Sequence, residues 1–420
     1  MYKIGEFMGT GAVIHLDANY FYAQIEAIFR LWLRGKAYVV GGDQESRKGI
    51  VLTKSPLAKK YGIKTAMSIR EALNIYPNLI VVPANFPLYS YYSDRMREIV
   101  LQHTDAIKPF GSDEMWAQLY GDRTTVMKTV ENIRQELWKQ LCLTVSIGVG
   151  DNLPYAKIGS DLAPNDGVCV LWNENREKEV YPLPVGDLLY VGASTTERLN
   201  RYGIQTIGDL ANSDPERICD MLKNKTGKHL WIMANGQDKT RVEHIEKSDD
   251  AKSFSNSNTL PYDLKTEDDV RAALYMFSET VAQKMKEAGV EATTLSITVR
   301  DDDLFSTSRQ MKLQRPTNLV ADLVPAAMAL FKKHYKLYKP VRTIGICASN
   351  LVAEGSVFQL SLFDDEVKRR KQDSLERFVD RTRGRFGQSI LKRAVHMDRT
   401  FKGANANNEH GDSQLFYVYR

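Results

Sequence analysis

The chain has little that would mark it as secreted, membrane-bound or disulfide-built. Its 420 residues include only four cysteines, Cys142, Cys169, Cys219 and Cys347, scattered with no paired spacing. That excludes a zinc ribbon, a Cys-x-x-Cys redox couple and a disulfide framework, and it fits free thiols in a reducing compartment. No apolar run approaches the ~18–20 residues needed to cross a bilayer. The first residues also lack the pattern of a signal peptide. No membrane is therefore expected, and the expected location is cytoplasmic. There are no internal repeats. Neither sign of charge dominates: 57 Lys and Arg against 52 Asp and Glu leave +5, which alone is weak support for a nucleic-acid partner. The distribution says more, because Phe305–Gly345 holds eight basic residues and one acid, Asp322. With 43% apolar and 26% charged residues, the chain is an ordinary globular one, long enough for two to four domains.

What is present starts with Val13-Ile14-His15-Leu16, a short buried strand that ends in Asp17. Asn19-Tyr20-Phe21-Tyr22 follows, an aromatic cluster suited to a nucleotide's sugar and base, and Tyr22–Leu33 has helical spacing. Ala37–Val40 reads as a strand closed by the turn Gly41-Gly42-Asp43, and Ile50–Thr53 as another. Ser55-Pro56 suits an N-cap and first helical turn, with Gly62 as C-cap. Helices are expected over Asn85–Thr104 and Thr124–Gln140, and strands around Asp113–Tyr120 and over Leu143–Val149. A further helix carries Lys157. Strands alternating with helices argue for an α/β sheet with helices packed on it.

The pattern changes near Val180. Leu188–Asn212 holds two short helical stretches joined at Tyr202-Gly203-Ile204, a helix-hairpin-helix whose backbone N–H groups suit a DNA phosphate. Gln237–Ser257 is polar and charged, a linker. From Thr259 to Asn350 the chain turns α+β, with helices at Glu267–Ala288 and Asn318–Tyr335. Its strands are Thr293–Arg300, Ser306–Lys312 and Arg342–Ser349. In the charged tail, Lys368-Arg369-Arg370-Lys371 reads as a solvated helix face. Leu375, Phe378 and Val379 suggest a short helix docked on the last domain.

Asp113 and Glu114 stand side by side at a hairpin in Gly-Ser-Asp-Glu-Met-Trp. Together with Asp17 they form three carboxylates able to hold two divalent metals. Magnesium prefers hard oxygen ligands and leaves positions for water and phosphate. Two such ions roughly 3.5–4 Å apart clamp the attacking and leaving oxygens of a phosphoryl transfer. Taken singly, each element has a plainer explanation. A strand-end Asp commonly forms a turn, Asp113-Glu114 could cap a solvated hairpin, and Tyr20-Phe21-Tyr22 could be core. Lys59 and Lys60 read by default as a solvated helix face. Strand alternation keeps Arg309, Lys312 and Arg315 from all sharing one backbone. Gly41-Gly42-Asp43 is similar to a cyclase signature, although a turn after a strand explains it better.

Five segments in register resemble the Y-family translesion DNA polymerases, and within them the UmuC-like branch of Gram-positive bacteria. They are Asp17–Glu26, Gly111–Glu114, Ser146–Lys157, Pro182–Leu210 and Pro340–Leu351. The resemblance implies a right-hand polymerase, α/β and α+β multidomain. Palm would be 1–22 and 87–175, small fingers 23–86, and helix-hairpin-helix thumb 176–240. A linker at 241–252, an α+β little finger at 253–351 and a tail at 352–420 would follow. It implies Asp17, Asp113 and Glu114 as catalytic metal ligands with the Ala18 carbonyl, holding two Mg2+ ions. Tyr22 would be the steric gate against a ribonucleotide's 2′-hydroxyl. Lys59, Lys157, Thr53 and the Tyr20-Phe21 backbone would hold the triphosphate. Gly192, Gly203, Arg309, Lys312 and Arg315 would meet DNA. The primer 3′-hydroxyl would attack the α-phosphorus, with pyrophosphate leaving. Asn19, Pro56, Lys59, Leu153 and Gly111-Ser112 depart from the commoner residues of the family, and none of them removes a metal carboxylate.

Gln359-Leu360-Ser361-Leu362-Phe363 resembles the pentapeptide with which bacterial polymerases dock on the sliding clamp. It offers a polar anchor and two apolar plugs, and a tether raises effective concentration at the primer end. Expected partners are primer–template DNA, deoxynucleoside triphosphates and the clamp, with an activating subunit of the SOS type left open. Two rival readings are a non-catalytic DNA- and clamp-binding accessory protein and a palm-type nucleotidyl cyclase.

Overall fold

The structure, a computed structural model, describes residues 11–42, 49–242, 251–357, 366–387 and 390–396. It has two units, Met1–Gly42 with Ile50–Ser248, and Asp249–Arg420 with Asp43–Gly49.

The first unit runs β1 (Gly11–Ala18), α1 (Phe21–Phe29), β2 (Tyr38–Gly41), β3 (Val51–Lys54), α2 (Pro56–Lys60), α3 (Ile69–Ile75), β4 (Ile80–Pro83) and α4 (Phe86–Leu101). It continues with β5 (Ile107–Pro109), β6 (Glu114–Tyr120), α5 (Arg123–Leu141), β7 (Val145–Gly150), α6 (Leu153–Leu162) and β8 (Val168–Leu171). A helical part closes it: α7 (Arg176–Glu179), α8 (Ala193–Arg201), α9 (Ile207–Ala211), α10 (Pro215–Leu222) and α11 (Asn224–Ala234).

Five strands form one sheet in the order β5-β6-β1-β7-β8. β1 lies in its middle and is covered on both faces, which is why Val13, Ile14 and Leu16 form an apolar run with no alternation. A separate sheet, β3-β2-β4, takes up the segment between α1 and α4. There Ser55 caps α2 by accepting from the Ala58 amide at 3.2 Å, with Pro56 at the first turn as the Ser-Pro pair suggests. The helical part packs Val185, Leu199, Ile207, Leu210, Ile218 and Leu230 into one core. Gly203 at φ +82 turns the chain between α8 and α9.

α6 approaches β7 very closely. A Cβ on Gly148 would stand 1.9 Å from the Ala156 carbonyl oxygen and 2.2 Å from the Ser160 amide nitrogen. Only glycine fits, and the contact sets the distance between Lys157 and the central strands. Gly148→Ala is therefore expected to destabilise the first unit by about 3 kcal/mol, read as a lowered urea midpoint.

The second unit contains β9 (Ser253–Leu264), α12 (Glu267–Glu287), β10 (Val290–Asp301), β11 (Ser306–Thr317), α13 (Val320–His334), β12 (Val341–Ala353) and α14 (Glu366–Phe386). Its sheet order is β11-β10-β12-β9, all antiparallel, with α12 and α13 contributing to one apolar core. Two expectations are corrected here. Ser253–Ser257 belongs to β9 and is not linker: an edge strand with one solvated face has the Ser and Asn content of a connection.

The tail helix is the second correction. α14 has 21 residues, and Leu375 and Phe378 point outward at 55% and 57% exposure. It docks through charge instead. Glu376, 4% exposed, accepts from the Val320 and Ala321 amides at 3.1 and 3.2 Å and from Lys286 at 3.0 Å. It thereby caps α13, whose own N-cap Leu319 supplies no side-chain acceptor. Arg383 donates to the Leu391 carbonyl and pairs with Glu279 at 3.0 Å. Glu376→Ala leaves Lys286 buried without its main partner, a loss of about 3–5 kcal/mol. The expected result is release of α14, seen as faster tryptic cleavage within 366–386.

Candidate active site

β1 and β6 pair antiparallel so that Asp17 lies directly opposite Glu114. The Asp113 carbonyl accepts from the Ala18 amide at 2.9 Å and locks the turn before β6 onto the end of β1. Lys157, projected by α6, puts its Nζ 3.0 Å from Glu114 Oε2, 3.6 Å from Asp17 Oδ2 and 2.9 Å from Asp161 Oδ1. The two acids therefore already share one cation. Asp113 is brought to the same place by sequence adjacency, but its carboxylate turns back toward Ser112 Oγ, 3.4 Å away.

Burial dominates the electrostatics. It pushes Asp17 from 3.8 up to about 7, against the Lys157 charge and reinforced by the neighbouring carboxylates. Asp113 and Glu114 are raised as well, again mainly by burial. Burial alone would lower Lys157, but Glu114 and Asp161 overturn that and hold it well above its usual value. A carboxyl that binds its proton more tightly when folded makes the folded state less favoured as pH rises through that window. We therefore expect the urea midpoint of the metal-free protein to fall between pH 4 and about 7 and to level above it. Asp17→Asn flattens the slope.

The donor set fits a hard divalent cation: every candidate ligand is an oxygen, and two of them already converge on a positive charge. Among the described residues no three His, Cys, Asp or Glu side chains stand close enough to hold an ion as they are. The reason is local, since Lys157 lies between two of the acids and Asp113 is folded onto Ser112.

Tyr20 begins α1 in a left-handed conformation, φ 49, with no side chain capping the helix. Such a start suits an anion. Lys59 Nζ lies 5.7 Å from the centre of the Tyr20 ring. Thr53, opposite Val40 in the β2–β3 ladder, immediately precedes Lys54. Phe21 is core at 3% exposure. Tyr22 stacks on Tyr89 at 4.2 Å between ring centres, and its hydroxyl is 3.2 Å from Ser112 Oγ.

Several residues at the site were not foreseen. Ser112 links the Tyr22 hydroxyl to Asp113, so the Gly-Ser substitution in the turn has a bonding role. Arg97 holds that turn by donating to the Gly111 carbonyl at 3.0 Å. His15, fully buried beside Trp116, has Nδ1 2.7 Å from Ser160 Oγ and Nε2 3.5 Å from Glu114 Oε2. Burial, then the Lys157 charge, holds its pKa well below the usual value. Lys54, lowered by burial and by Lys59, adds a second amine beside Tyr20. The one available signal was alternation: His15 and Asp17 share a face of β1.

Other expected contacts lie elsewhere. Gly192 caps α8, and Gly203 lies between α8 and α9. Arg309 and Lys312 are exposed on β11. Arg315 is only 14% exposed and pairs with Glu366 of α14. Gln359-Leu360-Ser361-Leu362-Phe363 lies outside the described residues.

Known proteins resemble this chain over most of its length. Residues 16–161 match the impB/mucB/samB family, 186–238 the DNA polymerase-iota thumb domain, and 251–362 the impB/mucB/samB family C-terminal domain. A DNA polymerase IV of Acetivibrio thermocellus is 38% identical over 91% of this chain and 96% of its own. DNA polymerase IV 1 of Bacillus subtilis is 31% identical over 94% and 96%. Among solved structures, a Y-family DNA polymerase chimera superposes with a TM-score of 0.72 at 24% identity, covering 82% of this chain and all of that one. That likeness concerns the fold, which is mixed α/β with an α+β C-terminal part. The relatives together with the matched segments establish that the chain belongs to the Y-family DNA polymerases of the impB/mucB/samB family.

Proposed function

We propose that the protein is a template-directed DNA polymerase of the low-fidelity lesion-bypass type, working by two-metal nucleotidyl transfer at Asp17, Asp113 and Glu114. The observation that carries it is the opposition of Asp17 and Glu114 across β1 and β6, both within 3.6 Å of one cationic nitrogen. Two magnesium ions, held by these carboxylates and the Ala18 carbonyl, would supply the charge that stabilises the pentavalent phosphorus and the leaving pyrophosphate. Asp113 needs only a side-chain rotation away from Ser112 to join the other two acids. Lys157 then exchanges carboxylate for phosphate oxygens, and Lys59 meets the triphosphate from the other side of Tyr20. The backbone at Tyr20 and Phe21, with Thr53, completes the cradle. Tyr22, braced by Tyr89 and Ser112, bars a 2′-hydroxyl.

Arg309, Lys312 and the Gly192 and Gly203 turns are assigned to DNA backbone. Arg315 is assigned there only when Glu366 releases it. The peptide 359–363 is assigned to the sliding clamp, and an activating subunit of the SOS type is a further candidate partner. Palm, fingers, thumb and little finger are assigned over the ranges the resemblance implies, and the thumb-domain match at 186–238 supports the third of them.

The test is primer extension on damaged and undamaged templates with and without clamp. Template-directed incorporation past a lesion, stimulated by clamp, is expected. DNA binding without any incorporation would instead support the accessory protein.

A further inference from the structure

α14 is built inside out. All four of its acids face a cation: Glu366 pairs with Arg315, Asp373 with Arg377, and Glu376 and Asp380 with Lys286. Its exposed charged residues are Lys368, Arg370, Lys371, Arg381 and Arg385, all cationic, with Val367 exposed beside them at 66%. Between them stand Leu375, Phe378 and Phe386 at 55%, 57% and 61% exposure. Large apolar side chains seldom gather on a solvated helix face unless something covers them.

We infer that this outward face binds single-stranded DNA, with Phe378 and Phe386 stacking on bases and Arg381 and Arg385 meeting phosphates. Charge is the first reason, since every exposed charged residue of α14 is cationic and nucleic acid is anionic. The kind of apolar residue is the second. Two aromatic rings interleaved with arginines make a stacking platform, which unpaired bases fill and paired bases cannot. Phe378, Arg381 and Arg385 follow one another at helical spacing and share a side of α14. The two rings lie about 12 Å apart along the axis, enough for separate bases. The Arg385 guanidinium already sits 5.1 Å over the Phe386 ring, so a cation and a stacking surface are presented together. The inference rests on the chain working on DNA, and it adds a second DNA contact outside the polymerase site.

The test uses the full chain with a fluorescent dT20 probe, while an unlabelled primer–template hairpin in saturating excess occupies the polymerase site. Anisotropy should show that the probe still binds. Phe378→Leu with Phe386→Leu keeps the face apolar but removes stacking, and should weaken probe binding about tenfold or more. Arg381→Glu with Arg385→Glu should weaken it further and reduce the salt slope by about 1.4. Irradiating a 5-iodouracil-substituted probe should leave its adduct on the peptide carrying Phe378 or Phe386. Extension of the hairpin should be unchanged in every variant, which separates this site from polymerase activity. Unchanged affinity in the leucine variant would show that the rings serve a protein partner and overturn the inference. So would absence of probe binding beside the hairpin, or adducts confined to residues outside 366–386.

Discussion

Asp113→Ala is expected to abolish primer extension, by on the order of a thousandfold or more, while leaving DNA binding and folding nearly intact. The expected size follows from the proposed role, a charged oxygen ligand at the point where transition-state charge would develop. The selectivity follows from how Asp113 is held. Its structural contribution is the backbone carbonyl that accepts from Ala18 at 2.9 Å, and alanine keeps that carbonyl. Its carboxylate touches only Ser112 and its own amide, so the fold loses little. Single-turnover extension beside an anisotropy measurement of DNA affinity is the check. A variant that still synthesises at a tenth of the normal rate would remove Asp113 from the metal site. Asp17→Ala is a less clean probe, because it also takes a partner from Lys157.

If Tyr22 is the gate, Tyr22→Ala is expected to relax sugar discrimination, so that ribonucleotides enter about a hundredfold more readily relative to deoxynucleotides. The ring cannot yield to a 2′-hydroxyl by rotating, because it is stacked on Tyr89 with an interplanar angle of 15° and its hydroxyl is tied to Ser112. Tyr22→Phe keeps the ring on Tyr89 and loses only the hydroxyl contact, and it should retain most of the discrimination. Competition between a ribo- and a deoxynucleotide opposite one template base distinguishes the variants. If both exclude ribonucleotides as the parent does, Tyr22 is not the gate. Truncating the ring also opens a hole against Tyr89 and Phe86, so the alanine variant should melt earlier, a cost the phenylalanine control separates from selectivity.

Much of the site could be read before any coordinates. The strand ending at Asp17, the Asp113-Glu114 pair, the helix carrying Lys157 and the Ser55-Pro56 cap all appear where local pattern put them. Each depends on near neighbours: apolar run length, turn residues, helical spacing. What escaped was of two kinds. Short elements such as β4, β5 and β8 have too few residues to show a period. β9 was missed because its solvated alternation imitates a linker.

The tail fails for a different reason. Leu375, Phe378 and Val379 predicted docking by an apolar face, yet Glu376 reaches the Val320 amide across 56 residues and turns the helix the other way. Only Val379 of the three turns inward, beside Ala282 and Val320, and no local pattern announces the distant lysine and helix-start amides that satisfy Glu376. In the same way, the chain alone offered three carboxylates as candidate metal ligands, while the phosphate and sugar roles came from the resemblance to the polymerase family. Only the tertiary structure decided that Asp17 faces Glu114, that Lys157 stands between them and that Glu376 of α14 turns inward. Those are meetings of distant segments, set by strand register and by the close fit of α6 on Gly148.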